Sequence, residues 1–424
     1  MAQLSSRKKL TYSLVLLAFF WLFVELVCLG ALWALERYKG VEYKPALVQT
    51  LSNKHRGALT AHLSGRSSYV TFDPVLGWTV RPNGKKPNYR ANSAGLRSQR
   101  EHAPQPAPGI VRIAAFGDSF THCDGMKAGW SWQGVMEASD PRLEVMNFGV
   151  PGFEPGQAFL RYQQLGPRFH PHVVLIGFMS ENISRTVNAY RPFYFPRSGI
   201  PFSKPRYGLE GDRLVLYENP IRSEDGYREL LEHPERVLPR LGEHDYFYRY
   251  NSRRSRFDFL PSVRFAHIIE TQYFHQPIVK GGVYNPESEA FQVTARVLRE
   301  FYDRALADGS LPIIVLFPDR QDIRSHRRGE PLVYRPLADL LRREGYRTID
   351  LIEGFERYDT KNEMVDLKYV HYPRVGNAMV ARYLHDVLEK EGLTTVEGVE
   401  RALASGINRN ADAEARSNPK PPRS

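Results

Sequence analysis

A serine and a histidine 252 positions apart in the chain have the side chains needed for nucleophilic catalysis. Ser119 stands in the run Phe-Gly-Asp-Ser-Phe (116–120), and His371 precedes the last apolar helical pattern. A histidine that takes the hydroxyl proton of a serine makes it a nucleophile for carbonyl carbon. Either residue alone is weak evidence, because serines commonly cap helices and most histidines are structural. The interpretation therefore depends on elements that bring the two together.

Short apolar runs, rich in β-branched residues and bounded by turn residues, predict buried strands. Strands are predicted at 110–116, 143–148, 172–179, 311–317 and 346–352, and helices at 131–138, 156–165, 287–307, 337–344 and 375–391. Strands that alternate with helices predict an α/β fold with a parallel sheet covered on both faces. Ser119 directly follows the first strand, at the sheet edge where such folds gather their reactive groups.

Two further candidate residues follow the second and third predicted strands. Gly152 closes the run 147–152, where a glycine lets the backbone approach a ligand closely. Asn182 follows the strand at 172–179, and its side-chain amide could donate a hydrogen bond to an oxyanion. An ordinary turn explains either residue equally well, so their roles depend on the neighbouring strand ends.

Residues 186–285 interrupt the alternation of strands and helices. The stretch is rich in Tyr, Phe, Arg and Pro and contains a hairpin-like piece at 208–217. We interpret it as an insertion that forms a cap or a side wall. Four tyrosines of this region could stack on sugars, although such residues more often fill a small core: Tyr190, Tyr194, Tyr207 and Tyr217.

The N-terminal region predicts a membrane anchor. Residues 10–35 are almost entirely apolar and long enough to cross the hydrocarbon layer. The basic residues at 7–9 favour a cytoplasmic N-terminus, so the rest of the chain would lie outside. The run is longer than the apolar part of a cleaved signal peptide, which favours an uncleaved anchor. Glu25 lies inside the span, either as a tolerated neutral side chain or as the contact with a multispanning membrane protein.

Composition limits the other function classes. The net charge of +11 suits an ordinary basic surface or attraction to anionic lipids, and no motif accompanies it that would indicate a nucleic-acid partner. Cys28 and Cys123 are the only cysteines, so neither a disulfide framework nor a structural zinc site is expected. The sequence predicts no metal and no cofactor.

Together the four pieces around Ser119, Gly152, Asn182 and His371 resemble the SGNH (GDSL-like) hydrolase superfamily. The resemblance covers about 76–390 and includes the phrases Leu-Gly-Trp (76–78) and Asn-Ser-Ala-Gly-Leu-Arg (92–97), which look like those of membrane-anchored bacterial members. It implies a flavodoxin-like three-layer αβα sandwich with a central parallel sheet. It also implies that Ser119 is the nucleophile and His371 its base, with an oxyanion hole formed by the Ser119 and Gly152 N–H groups and the Asn182 side chain.

Two departures from the family pattern affect the third catalytic residue. The family has Asp three residues before the histidine, where this chain has Lys368, so Asp366 or a backbone carbonyl would orient His371. The family's Gly-Asn-Asp block reads Glu181-Asn182-Ile183 here. The Ser–His pair is unaffected by either change.

The sequence therefore predicts a serine esterase on the outer face of a bacterial inner membrane, acting on an ester of an envelope glycan or lipid. The alternatives are an O-acetyltransferase that receives acyl groups from a membrane partner and a catalytically silent glycan-binding scaffold. The expected organisation is a cytoplasmic N-terminus (1–9), a transmembrane anchor (10–35), a stalk and lead-in segment (36–107), a catalytic domain (108–392) with the insertion 186–285, and a disordered tail (393–424).

Overall fold

The structure is a computed structural model that describes residues 6–39, 51–66, 69–195, 198–249, 255–270, 277–364 and 370–405. Within these ranges the strands are β1 (Val70–Asp73), β2 (Gly77–Val80), β3 (Lys85–Lys86), β4 (Tyr89–Arg90), β5 (Val111–Phe116), β6 (Leu143–Asn147), β7 (Val173–Met179), β8 (Arg206–Glu210), β9 (Arg213–Tyr217), β10 (Val279–Lys280), β11 (Val283–Tyr284), β12 (Leu311–Phe317) and β13 (Thr348–Asp350).

The α-helices in the same ranges are α1 (Ser6–Lys39), α2 (Asn53–Leu63), α3 (Ser119–His122), α4 (Trp132–Ser139), α5 (Pro155–Leu165), α6 (Asn182–Thr186), α7 (Glu224–Glu232), α8 (Pro234–Leu241), α9 (Pro261–Ile269), α10 (Glu289–Ala307), α11 (Arg320–Arg327), α12 (Arg335–Arg343), α13 (Leu351–Tyr358) and α14 (Arg374–Lys390).

Five strands form the central sheet in the order β13-β12-β7-β5-β6, and all of its neighbouring strands are parallel. Ranked along the chain, this is the strand order 5-4-3-1-2 of the flavodoxin-like topology. β5 and β7 are buried at every residue, as expected for strands covered on both faces. The predicted fold class is confirmed. The last strand is shorter than predicted, because Asp350 caps α13 and ends it.

Helices cover both faces of the sheet. On one face α4 packs against β6 and α14, and α13 packs against β12 and α14. On the other face α5 and α10 pack against each other and against β7. The strands run from one edge of this sandwich to the other, so the loops after β5, β6 and β7 lie side by side. These are the loops that carry Ser119, Gly152 and Asn182.

Residues 51–66 and 69–107 are part of the folded domain, which corrects the stalk and lead-in segment predicted over 36–107 in the part of it that the structure describes. Leu76, Trp78 and Leu96 are buried in the core, and α2 packs on α7 of the insertion. Buried Arg161 of α5 donates hydrogen bonds to Thr79 Oγ1 (2.6 Å) and the Gly95 carbonyl (2.8 Å). The Pro- and Gly-rich composition correctly indicates irregular backbone. It does not reveal that a buried arginine holds that backbone against the sheet.

The tail boundary also needs correction. The sequence predicts disorder over 393–424, but residues 396–405 are helical and both Leu393 and Val399 are buried. These apolar residues pack into the domain despite the polar composition around them. Residues 406–424 lie outside the described residues.

The N-terminal helix α1 is apolar enough and long enough to cross a membrane over Arg7–Tyr38. Most of its side chains are exposed, but Glu25 is only 7% exposed. The Glu25 carboxylate accepts hydrogen bonds from the Ser262 backbone N–H (2.9 Å) and hydroxyl (2.6 Å). Glu25 therefore has a polar contact within the same chain, which neither of the two sequence interpretations, a tolerated neutral side chain or a contact with a multispanning protein, included.

Candidate active site

Ser119 stands on a tight turn between β5 and the short helix α3. Asp118 caps that helix through its Oδ1 atom, which accepts a hydrogen bond from the Phe120 N–H at 2.8 Å. A Cβ at Gly117 would lie 2.3 Å from Thr121 Oγ1 and 3.1 Å from the Gly177 carbonyl oxygen, so the turn requires glycine. Sequence and local packing thus place the Ser119 side chain beyond the carboxyl end of the central strand.

His371 meets Ser119 across the sheet edge. Its Nε2 atom lies 2.9 Å from Ser119 Oγ, within hydrogen-bond distance. The loop that carries the histidine is held by aromatic contacts, because the Phe120 ring lies 5.2 Å from the His371 ring and 5.0 Å from the Tyr372 ring. The structure therefore brings together the two residues on which the sequence interpretation depends. Asp366, the predicted orienting acid, lies outside the described residues.

A buried polar network around Asp118 holds the serine turn in place. Asp118 Oδ2 accepts hydrogen bonds from Asn182 Nδ2 and Arg185 Nη1, both at 3.0 Å. Asn182 Oδ1 in turn accepts from the Met179 N–H at 2.9 Å, which joins the network to the end of β7. Asn182 is 1% exposed, so its amide is packed against the serine turn. An amide nitrogen carries two hydrogens, so one bond to Asp118 leaves a second donor.

Gly152 lies beside the serine in the wall of the same cavity. Its φ of +81° is a conformation that favours glycine, and a Cβ there would meet Ile200 Cδ1 at 2.3 Å and Arg191 Nη1 at 2.9 Å. The preceding carbonyl, that of Pro151, accepts a hydrogen bond from the Trp78 indole N–H at 2.9 Å. Because C=O and N–H point in opposite directions in a trans peptide, this bond turns the Gly152 N–H away from Trp78.

Asp124 is an acidic residue in the cavity wall. Its Oδ1 atom lies 2.6 Å from His122 Nδ1, and His122 Nε2 lies 2.7 Å from the Tyr69 hydroxyl. Burial lowers the pKa of His122, so we assign it a neutral ring that donates to Asp124 and accepts from Tyr69. Burial alone would raise the pKa of Asp124, but His122, then His371 and Arg97, outweigh it and lower that pKa. Sequence reasoning missed Asp124, although it stands only five residues after Ser119.

The cavity above these residues has a volume of about 660 Å³ and walls from three parts of the chain. The lead-in segment supplies Tyr69 and Tyr89, the insertion supplies Ile200 and Phe202, and the sheet edge supplies the reactive pair. The size is typical of sites for small organic ligands. Residues of the insertion therefore line one side of the cavity.

Charged groups lie along one wall of the cavity. Glu181 accepts hydrogen bonds from Arg185 (2.7 Å) and the Tyr194 hydroxyl (2.9 Å) and lies 3.4 Å from Arg191. Burial opposes its ionisation, but Arg185 and then Arg191 outweigh burial and lower the pKa of Glu181 to about 2. Lys86 and Arg66 lie at the same cavity, so the wall carries more positive than negative side chains.

The tyrosines of the insertion mostly fill its core. Tyr190 is fully buried and packs edge-on against Phe193, and Tyr207 is 8% exposed and packs on Phe159. Tyr194 stacks on Phe247, and Tyr217 stacks on His244 with 4.0 Å between ring centroids. All four rings pack on protein side chains, and the two that are almost completely buried, Tyr190 and Tyr207, cannot stack on a sugar.

One group among the described residues has the spacing of metal ligands: Asp140, His385 and Glu389. Arg142 Nη2 donates to both carboxylates, at 2.6 Å to Asp140 and 2.8 Å to Glu389. The arginine and then His385 hold the pKa of Asp140 well below its usual range, although burial opposes them. These ion pairs account for the group without a cation. Cys123 is a free thiol that is buried, and burial raises its pKa to about 12, which excludes it as a nucleophile.

Comparison with known proteins finds only solved structures of low sequence identity and low structural similarity. No protein-family model matches the chain, and no curated protein matches it. A solved structure described as a G-D-S-L family lipolytic protein, from Desulfitobacterium hafniense DCB-2, is 13% identical with a TM-score of 0.33 and covers 66% of this chain and 99% of its own. A second G-D-S-L member, from Veillonella parvula DSM 2008, is 12% identical with a TM-score of 0.33 over 66% and 98% of the two chains.

A third solved structure, described as an acylhydrolase from Bacteroides fragilis NCTC 9343, is 11% identical with a TM-score of 0.33 and covers 68% of this chain and 90% of its own. The first two are described by the family name that the sequence resembles. Likeness of this extent carries no argument about activity, so function has to be argued from the site itself.

Proposed function

We propose that the protein is a serine esterase in which Ser119 is the nucleophile and His371 the general base. The observation that carries the proposal is the 2.9 Å contact between Ser119 Oγ and His371 Nε2, made by residues from opposite ends of the domain. A nucleophile and a base within hydrogen-bond reach, beside a cavity of about 660 Å³, are the geometric requirements for acyl transfer.

The reaction has two steps. His371 accepts the Ser119 proton while the oxygen attacks the ester carbonyl, and the protonated histidine then gives that proton to the departing alcohol. The resulting acyl-serine ester is cleaved by water, which His371 deprotonates in the same way, and the products are a carboxylic acid and the restored serine. The carboxylate of Asp124, in the same cavity wall, stabilises the positive charge on His371 during both steps.

The oxyanion formed in each step needs donors that face the carbonyl oxygen. We assign this role to the Ser119 and Gly152 N–H groups and to the second hydrogen of the Asn182 amide. Support comes from the Trp78–Pro151 bond, which sets the direction of the Gly152 peptide, and from Asp118, which holds Asn182. Donors fixed before the reaction stabilise an oxyanion without a reorganisation cost.

The substrate we propose is an O-acyl ester of an envelope glycan, cleaved on the outer face of a bacterial inner membrane. The charged and hydrogen-bonding groups of the cavity wall, such as Glu181 and Arg191, suit a sugar, which presents hydroxyl groups. The apolar helix α1, whose first turn carries the basic residues at 7–9, supports an anchor with the site outside. Asp366 keeps its predicted role as the residue that orients His371.

A serine-directed probe tests the proposal. The full chain in mild detergent is incubated with a fluorophosphonate and, separately, with p-nitrophenyl acetate. We expect labelling and turnover that disappear in Ser119→Ala and persist in Ser131→Ala, a helix-capping serine outside the site. A protein that is folded by circular dichroism yet neither labelled nor active would contradict the esterase. Acetyl transfer to an added oligosaccharide in preference to water would identify a transferase instead.

A further inference from the structure

One element of the insertion contacts the apolar helix α1. This element, called here the α9 segment, comprises the turn at 255–260 and the helix α9 and ends at residue 270. α9 packs along α1, and the two Glu25 hydrogen bonds end at Ser262 in its first turn. The contact links residues 237 positions apart, so the anchor and the insertion meet directly rather than through a stalk.

The contact covers one face of α1 in its second half. The residues of this part of α1 that are buried or half-buried are Val24, Glu25, Cys28, Ala31, Leu32, Ala34 and Leu35. Most of them recur at a spacing of three to four residues, which marks one side of a helix. The exposed side chains between Leu10 and Trp33 are almost all apolar, as a lipid-facing surface would be.

The depth of the α1–α9 contact in the membrane follows from helix geometry. The basic residues at 7–9 mark the inner boundary of the hydrocarbon layer. About 20 residues at 1.5 Å each span its ~30 Å in an upright helix, and a tilted helix uses the whole apolar run to Leu35, so the outer boundary lies between Leu29 and Leu35. Glu25 is roughly 6–15 Å along the helix inside that boundary. The first turn of α9 therefore meets α1 in the outer half of the hydrocarbon layer.

The surface of the α9 segment fits that environment. Phe257 and Phe259 are 52% and 72% exposed, which is unusual for two large aromatic side chains so close together. Arg256 and Asp258 alternate with them, and a long arginine side chain can reach the headgroups from this depth. A carboxylate in hydrocarbon is costly unless its oxygens are bonded, and Ser262 supplies both bonds.

We propose that the α9 segment lies in the outer leaflet, docked on α1 through Glu25 and presenting Phe257 and Phe259 to lipid acyl chains. The proposal rests on the membrane anchor proposed above and is independent of the esterase chemistry. It deepens that proposal, because a domain held at two points has a fixed orientation over the bilayer. The catalytic cavity would then open at a set height above the membrane.

Spin-label accessibility tests the lipid contact. In a Cys28→Ser background, where the remaining Cys123 is buried, a nitroxide is attached at Phe259→Cys and, as a control, at Val75→Cys, which is also exposed but lies in the lead-in segment. The full chain is placed in vesicles of phosphatidylethanolamine and phosphatidylglycerol. Collision rates are measured with oxygen, which concentrates among acyl chains, and with a water-soluble nickel chelate.

The expected result is a ratio of oxygen to nickel collisions several-fold higher at 259 than at 75. Equal ratios at the two positions would overturn the lipid contact. Protection of position 259 from both reagents would also overturn it, because a protein partner or a second copy would then cover the phenylalanines. None of these outcomes depends on fluorophosphonate labelling of Ser119, so the two proposals fail separately.

Hydrogen exchange tests the role of Glu25. Glu25→Leu removes both acceptors of Ser262, so we expect several-fold faster amide exchange at the start of α9. Glu36→Leu, which replaces an exposed acid of the same helix, should leave that exchange unchanged. Unchanged exchange in Glu25→Leu would show that the hydrogen bonds do not dock the segment.

Discussion

Asn182 donates a hydrogen bond to Asp118 across 3.0 Å, which ties the end of β7 to the residue before the proposed nucleophile. The same Asp118 oxygen accepts from Arg185, and both partners are almost completely buried. The loops after two adjacent strands are therefore joined through one carboxylate. The position of Ser119 depends on this shared carboxylate as much as on its own turn.

Asp118→Asn should damage both stability and catalysis. Asparagine still caps α3, but the variant leaves the buried Arg185 without one of its carboxylate partners. Loss of a charged hydrogen-bond partner in the interior typically costs about 2–3 kcal/mol. We expect a lower unfolding temperature of the full chain in detergent and a reduced kcat. Asp225→Asn, at a position that is 92% exposed, is the control and should change neither.

The strands and helices of the central sandwich can be predicted from the sequence, because each is a local pattern of apolar residues. Buried strands such as β7 and β12 are continuous apolar runs, and α10 has an apolar stripe at helical spacing. Ser119 and His371 could be paired because parallel strands deliver their ends to one edge of the sheet. In each case the information lies within about twenty residues or follows from topology.

The residues that the sequence did not reveal act over long range. Trp78 matters because of the carbonyl that it bonds, 73 positions away, and Arg161 because it holds a loop before the sheet. Nothing in their immediate neighbours indicates those partners. The same reason explains the misplaced domain start and the unrecognised helix at 396–405, whose burial depends on surfaces formed elsewhere in the chain.

Trp78→Phe isolates one of these long-range effects. Phenylalanine keeps an aromatic ring in the core but cannot bond the Pro151 carbonyl, so the Gly152 peptide can rotate. We expect kcat for p-nitrophenyl acetate to fall about tenfold or more with little change in KM, since the donor acts on the oxyanion. Trp132→Phe is the matched control, because Trp132 is equally buried and its indole N–H has no partner among the described residues. Equal losses of kcat in the two variants would contradict the positioning role of Trp78.

Gly152→Ala tests the proposed oxyanion hole directly. The added Cβ would collide with Ile200 and crowd Arg191, and the φ of +81° adds backbone strain. Loss of one oxyanion donor typically lowers the rate by about 10²–10³, and we expect a kcat decrease of that order. Gly211→Ala carries similar strain at φ +61° in open space and should retain activity. Adding Ile200→Ala to Gly152→Ala should restore part of the rate if crowding displaces the peptide.

The loss of folding stability at acid pH should depend on Glu144. Burial opposes its ionisation, but His102 and Arg112 outweigh burial and lower the pKa of Glu144 to about 2. Because the folded-state pKa lies below the unfolded value of 4.5, the ionised group stabilises the fold above pH 4.5, and this is lost as pH falls towards 2. Glu144→Gln should therefore unfold more easily at pH 7, by roughly 2–3 kcal/mol, and lose less stability on acidification. Urea titrations of both proteins at pH 7 and pH 3 measure the difference, and parallel losses would exclude Glu144 as the source.

Asp124 and Asp366 can be separated by the size of their effects on kcat. Asp124 lies in the cavity wall with His371, so its carboxylate is close to the ring that becomes positive during the reaction. Asp124→Asn removes that charge, and we expect kcat to fall about tenfold, because the imidazolium of the transition state is less stabilised. Asp366→Asn should lower kcat further if Asp366 orients the ring, because the wrong tautomer of His371 cannot accept the serine proton. Turnover of p-nitrophenyl acetate by the two variants and the wild type provides the comparison, with Asp212→Asn on the exposed hairpin turn as the control. An unchanged kcat in Asp124→Asn would show that its carboxylate serves only to hold His122.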